Sequence, residues 1–307
     1  MFSVSVLLAM AFMAMVRGLP AEWISVSTSE KGKWFDRIVV ATFENKHYNQ
    51  VRNTSKNFVE MEERGVLLTN FYGTTHPSLP NYLAQVGGSH FDVKDDEAHD
   101  IDAETVFDRL EDAGLDWLSV QENYPTDYTG CMTGSFYDEK LNPDGMGELG
   151  YYARKHNPPM SFISVSQNET RCQEHVISEI MFDRMLESGK PLPEMIYYTP
   201  NMLNDCHDFN DLSYCDPYLP RLLEKFDRID KADEKRTLFV VTWDEDNWQT
   251  IDWNHIHTVI WGAGLPKGET DGTTYNHFSL TATILANWGL ETLHRHDENA
   301  QLLKLDY

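Results

Sequence analysis

Basic side chains are scarce in this sequence: 25 lysines and arginines stand against 49 aspartates and glutamates, a formal net charge of −24. A field of that sign repels polyanions and argues against general binding to nucleic acid or to anionic membrane surfaces. An anionic substrate would need local help, from a metal ion or a few placed Lys, Arg and His residues. Cysteine is also sparse, four in all and none in CxxC spacing, which argues against a structural zinc site and suits two disulfides in an exported protein. No internal repeat, low-complexity tract or long linker divides the chain, and 307 residues with 41% apolar content are ample for a packed globular core.

An apolar run does open the chain, but Phe2 to Val16 is short for a bilayer span and is broken by Arg17-Gly18-Leu19-Pro20-Ala21. It reads as a signal peptide over residues 1–20, although no Lys or Arg precedes its apolar core. The expectation is a secreted or secretory-lumen protein with no stable membrane insertion and a single α/β domain over residues 21–307. N-x-[ST] sequons at Asn53 and Asn168 are compatible with glycosylation on that route.

Beyond the leader, short apolar runs rich in β-branched residues recur at Asp36–Phe43, Trp117–Val120, Ser161–Val165, Met195–Tyr198, Leu238–Trp243 and His257–Trp261. Amphipathic helical stretches separate several of them, at Thr105–Ala113, Val176–Glu187 and Leu219–Ile229. Strands alternating with helices over this length predict an α/β fold, a mostly parallel central sheet with helices on both faces.

Chemistry-bearing residues gather where those strands end. Thr74-Thr75-His76-Pro77-Ser78-Leu79-Pro80-Asn81-Tyr82 sets a hydroxyl between two prolines, which restrict the backbone to a stiff turn. Ser78 is the candidate nucleophile. A helix beginning at Pro80 would aim its first N–H groups at the same place, an arrangement suited to phosphate. Asp244, Glu245 and Asp246 follow one strand directly, and stacked acids beside a cleft call for a cation. Glu44 and Asn45 form a second oxygen-donor pair, the 201–208 stretch carries Asn204, Asp205 and His207, and His277 opens a helix over Leu280–Trp288. Together these predict metal-assisted phosphoryl transfer.

In order, the motifs Glu44-Asn45-Lys46-His47-Tyr48, His76-Pro77-Ser78-Leu79-Pro80-Asn81-Tyr82, Arg154-Lys155-His156-Asn157-Pro158, Asn201 to Asp208, Thr242 to Asp246 and His277-Phe278-Ser279-Leu280 resemble the phosphoesterase family. That family contains acid phosphatases and bacterial-type phospholipases C, within the alkaline phosphatase-like superfamily. The Arg-Lys-His-Asn-Pro stretch is most similar to fungal-type acid phosphatases. The resemblance implies an alkaline phosphatase-like fold and one divalent metal ion of unknown identity, held by Glu44, Asn45, Ser78, Asp244 and Glu245. It implies a phosphoserine on Ser78 and a small phosphorylated substrate. His207 and His277 would assist the chemistry, with Asn81, His156, Asn204 and Asp205 around the substrate.

Cys206 and Leu203 depart from residues common in that family's amide-rich motif, but neither removes an implied ligand. The four cysteines allow three pairings; the nearness of Cys206 to Cys215 points to a local bridge, which would leave Cys131 with Cys172. Asp92 to Asp112 reads as a solvated acidic face opening a helix. A phospholipase C or phosphodiesterase would share this core, and a catalytically silent secreted matrix protein would have no physical need to keep Glu44, Asn45, Ser78, Asp244 and Glu245 together. A sulfatase would need an Arg after the serine turn that is absent here. Oligomeric state is open.

Overall fold

Arg37–Phe43 (β1) is buried at every position, the pattern of a strand covered on both faces rather than one alternating with solvent. In the computed structural model, which describes residues 31–125, 131–137, 150–248 and 253–307, β1 is followed by Tyr48–Thr54 (α1), Asn57–Met61 (α2) and Val66–Tyr72 (β2). The chain continues through Ser78–Gly87 (α3), Val106–Asp112 (α4), Trp117–Gln121 (β3), Phe136–Tyr137 (β4) and Gly150–Tyr152 (β5). Next come Ile163–Ser166 (α5), Glu169–His175 (α6), Val176–Ser178 (β6), Glu179–Ser188 (α7) and Met195–Thr199 (β7). Cys215–Asp230 (α8), Thr237–Trp243 (β8), His255–Gly262 (β9), Glu269–Asn276 (β10) and His277–Asn287 (α9) complete it. The signal peptide expected over residues 1–20 lies outside the described residues.

Eight strands form one sheet in the order β10-β2-β9-β8-β1-β7-β3-β6. Its described pairings are parallel except those of β9 with β2 and with β8, so the mostly parallel α/β sheet is present, with helices packed around it. Strand β1 lies between β7 and β8, with Ala41 opposite Tyr198 and Phe43 opposite Trp243. Parallel register brings the carboxyl ends of all three strands to one edge, where ligand crevices of such sheets form. Glu44, the 200–208 loop and Asp244-Glu245 therefore emerge side by side.

Several local expectations change. Ser161–Val165 is no strand: Pro158 and Pro159 open a 3₁₀ turn over Pro158–Ser161, and Ile163–Ser166 continues helically. A short apolar run does not distinguish strand from buried helix. The stretch read as helix from Val176 begins instead with β6, because Ser178 accepts from the Met181 N–H and caps α7 there. The largely exposed, polar β10 has no alternating signal of its own; pairing with β2 makes it a strand.

Both bridges of the local-pairing scheme form, Cys131 with Cys172 and Cys206 with Cys215. Asn53 and Asn168 are both exposed. No helix among the described residues is long and apolar enough to cross a membrane.

Candidate active site

Because Phe43 and Trp243 stand opposite each other, Glu44 and Asp244 leave the sheet as neighbours, both fully buried. Asn45 turns through a left-handed φ of 56°, which asparagine tolerates better than most residues, and its N–H donates to Asp244 Oδ1 at 3.1 Å. Glu245 is buried beside His76, whose Nδ1 lies 2.6 Å from Oε2. Asp246 has a scaffolding role, accepting from the N–H groups of Trp248 at 2.8 Å and Asn254 at 3.1 Å.

Helix α3 brings the hydroxyl to these acids. Pro80 sits in its first turn, where N–H groups have no intrahelical partner, so the helix includes proline without losing a bond and starts at Ser78 rather than at Pro80. Ser78 Oγ donates to Glu44 Oε2 at 3.1 Å and lies 3.5 Å from Glu245 Oε1. About a turn further along α3, the hydroxyl of Tyr82 donates to Glu44 Oε1 at 2.6 Å. Ser78 lines a cleft of about 800 Å³ together with Asn45, Lys46, Asp96, His207 and Glu245.

Other candidates take different places. Asn81 Oδ1 accepts from the N–H groups of Thr74 and Thr75 at 2.8 and 3.1 Å, so the buried amide braces the serine turn from inside. Asn204 Nδ2 donates to Glu122 at 2.9 Å, and His277 Nε2 donates to the Asp244 carbonyl. None of these three lines the cleft. Burial pushes His277 down to about 4, leaving a neutral ring that holds the Asp244 backbone rather than meeting solvent.

His156 is buried, with Nε2 3.0 Å from Glu44 Oε1 and Nδ1 3.2 Å from Asp205 Oδ2. Burial alone would lower it, but the two carboxylates more than offset that and hold it at about 9. His207 reaches Asp208 Oδ1 through Nδ1 at 2.7 Å and Lys155 Nζ through Nε2 at 3.0 Å. Arg154 turns inward to the Met160 carbonyl at 2.8 Å.

Three contributors were not legible beforehand. His76 stood in the serine motif without a role. Lys46, buried, donates to the Cys206 carbonyl at 2.8 Å. Asp96, in the stretch read as a solvated face, accepts from the Leu79 N–H at 3.0 Å and from Lys155 at 2.8 Å. No local pattern marks Asp96, since its partners are distant in sequence.

The acid cluster fits a cation. Burial, then Glu44 and Glu245, push Asp244 well above the usual carboxylate range, and its buried Oδ2 has no hydrogen-bond partner. Burial likewise raises Glu245, to about 6, against the opposing pull of His76. Carboxylate, amide and hydroxyl oxygens make a hard donor set. A second grouping, Glu44, His156 and His207, has ligand atoms within 4.8 Å of one another. Glu44 is common to this grouping and to the oxygen set around Asp244.

These positions predict a pH slope. His156 holds its proton up to about 9 when folded and to roughly 6.5 when unfolded, so its contribution is complete below pH 6.5 and is lost as pH rises. Asp244, also raised, acts in the same direction. His277, lowered by burial to about 4, offsets a small part of this just above pH 6.5, and Lys46, lowered by burial to about 8, opposes it only above that pH. Metal-stripped protein should therefore lose about 1 kcal/mol or somewhat more of unfolding free energy between pH 6.5 and 8, read from urea midpoints at the two pH values. A flat or rising profile would remove the charged His156 from this account.

Comparison with known proteins adds a relationship. A profile of the phosphoesterase family matches residues 13–291. An acid phosphatase of Aspergillus fumigatus is 34% identical over 287 residues, covering 90% of this chain and 60% of the relative. The phosphate-repressible acid phosphatase of Penicillium chrysogenum is 32% identical over 283 residues, covering 90% and 64%. A phosphatidylinositol-3-phosphatase of Mycobacterium tuberculosis is 27% identical over 261 residues, covering 83% and 78%. The chain thus spans somewhat under two thirds of the length of those fungal relatives. Among solved structures, an alkaline phosphatase superfamily protein from Vibrio parahaemolyticus superposes with a TM-score of 0.55 at 14% identity, covering 89% of this chain and 72% of the other. The phosphonate monoester hydrolase of Agrobacterium radiobacter gives 0.54 at 12%, covering 83% and 74%. At those identities the likeness is one of fold.

Proposed function

This chain belongs to the phosphoesterase family, and from that premise we propose that it is a secreted, metal-dependent phosphomonoesterase of the acid phosphatase type, working through a phosphoserine on Ser78. The observation that carries the reading is Ser78 Oγ at the start of α3, 3.1 Å from Glu44 and 3.5 Å from Glu245, open to the cleft. Glu44, Asn45, Asp244 and Glu245, with Ser78 itself, would hold one divalent cation. Such a cation favours the serine alkoxide without a neighbouring base and offsets phosphate charge that this acidic protein otherwise repels.

The remaining work falls to the chain's own groups. The Leu79 N–H at the start of α3 suits a phosphoryl oxygen, and Lys155, kept charged by Glu44 and Asp96 despite burial, adds a positive pole. Asp96 holds both donors in this structure, so an incoming phosphate takes over its acceptor position. Ser78 Oγ gives up its proton to solvent and forms the new P–O bond as the ester bond to the leaving alcohol breaks. The leaving oxygen takes a proton from water in the cleft, and His207 on the cleft wall, whose Nε2 accepts from Lys155 in this structure, helps hold the transferring oxygens. Water then hydrolyses the phosphoserine, returning serine and inorganic phosphate. Asn81, His277, Asn204 and Asp205 act by position, holding the turn, the Asp244 backbone, the 201–208 loop and His156.

Metal-replete protein should release phosphate from p-nitrophenyl phosphate with kcat/KM at least about 100-fold above that for the bis ester, and acid-quenched turnover should leave phosphate on the peptide containing Ser78. Preference for the diester would move the protein to the phosphodiesterase or phospholipase C branch. No turnover of either, in protein shown to carry its metal, would favour a silent binding protein.

A further inference from the structure

Two aromatic side chains line the same cleft as Ser78, Phe209 and Trp248. They come from the loops that follow β7 and β8, the strands on either side of β1. Trp248 is 67% exposed, unusual for so large an apolar group. Its φ of 63° is one that a bulky L-residue adopts only under constraint, and the constraint is visible: Asp246 Oδ1 accepts from its N–H at 2.8 Å. The indole rests on His76, ring centroids 4.2 Å apart, and His76 bonds Glu245, which neighbours Ser78 Oγ. Phe209 is half-buried and its ring packs on Tyr214 at 4.1 Å. Gln50 of α1 ties the two loops together beside the rings, accepting from Asn247 Nδ2 at 2.9 Å and donating to the Asn210 carbonyl at 2.6 Å.

The fold thus holds an indole in solvent against a strained backbone, with two side chains, His76 and Glu245, between it and the nucleophile and a second ring on the facing loop tied to it through Gln50. Packing does not require this, because two thirds of the Trp248 surface is left uncovered. A flat π-system in the cleft would cover it in offset or edge contact, a geometry aromatic pairs favour. We propose that Trp248 and Phe209 form a leaving-group subsite that selects aryl phosphate monoesters over aliphatic ones. This rests on the phosphomonoesterase reading and names its substrate class.

The test uses two non-hydrolysable probes, phenylphosphonate and methylphosphonate, titrated calorimetrically into metal-replete protein, so that binding is read without turnover. The wild type should bind the phenyl probe about tenfold more tightly than the methyl probe, Trp248→Ala should bring the ratio near one, and Trp248→Phe should retain about half of the logarithm of the ratio. A ratio near one in the wild type, or one unchanged in Trp248→Ala, overturns the subsite. Aryl preference without phosphatase turnover would sustain the subsite and sink the phosphomonoesterase reading; turnover with equal binding of the two probes would do the reverse.

Discussion

Ser78→Ala should lower kcat on p-nitrophenyl phosphate by at least about 1000-fold, some 4 kcal/mol of transition-state stabilisation, while the protein stays folded. The side chain is nearly fully buried and its hydroxyl gives a single short bond, to Glu44. Its loss leaves a buried carboxylate with one donor fewer, a cost on the order of 1 to 2 kcal/mol, small beside the effect on chemistry. Alanine also suits the first position of α3, since it retains helix propensity. Stopped assays with circular dichroism and urea melts would separate the two effects. If the variant kept a tenth of wild-type kcat, Ser78 would not be the nucleophile.

Removing the metal should be nearly as severe. Chelation with EDTA should abolish turnover and lower the melting temperature, and a divalent cation at about 100 times its Kd should restore roughly 2.7 kcal/mol of stability. The reason lies in Glu44, Asp244 and Glu245, three buried carboxylates: burial, and after it repulsion from Glu44, raises both Asp244 and Glu245. Asp244→Asn separates the electrostatic from the catalytic consequence. It removes a ligand together with the cost of either charging or protonating a buried carboxyl, so the metal-free variant should melt above metal-free wild type yet bind the cation weakly and turn over poorly. Elemental analysis finding a fully active protein without metal would end this account, as would an Asp244→Asn variant less stable than the stripped wild type.

Much of the architecture was legible because it rests on local pattern. The buried run of β1, the amphipathic stretch Thr105–Ala113 that contains α4 and the Pro-flanked turn before α3 each express a periodicity or backbone preference that operates within a few residues. Acid clusters directly after apolar strands located Glu44, Asp244 and Glu245, since a parallel sheet gathers strand ends whatever their order. The nearness of Cys206 and Cys215 likewise anticipated the local bridge. What needed the tertiary structure is everything set by register and by contacts distant in sequence. Only the pairing of Phe43 with Trp243 makes Glu44 and Asp244 neighbours, and only the packing of separate segments brings His156 between Glu44 and Asp205, Asp96 to the start of α3 and Trp248 over His76. The same packing turns Asn204 to Glu122 and His277 to the Asp244 carbonyl. A residue's type and neighbours in sequence decide what chemistry it can offer, whereas the direction in which a side chain points is decided by the elements packed against it.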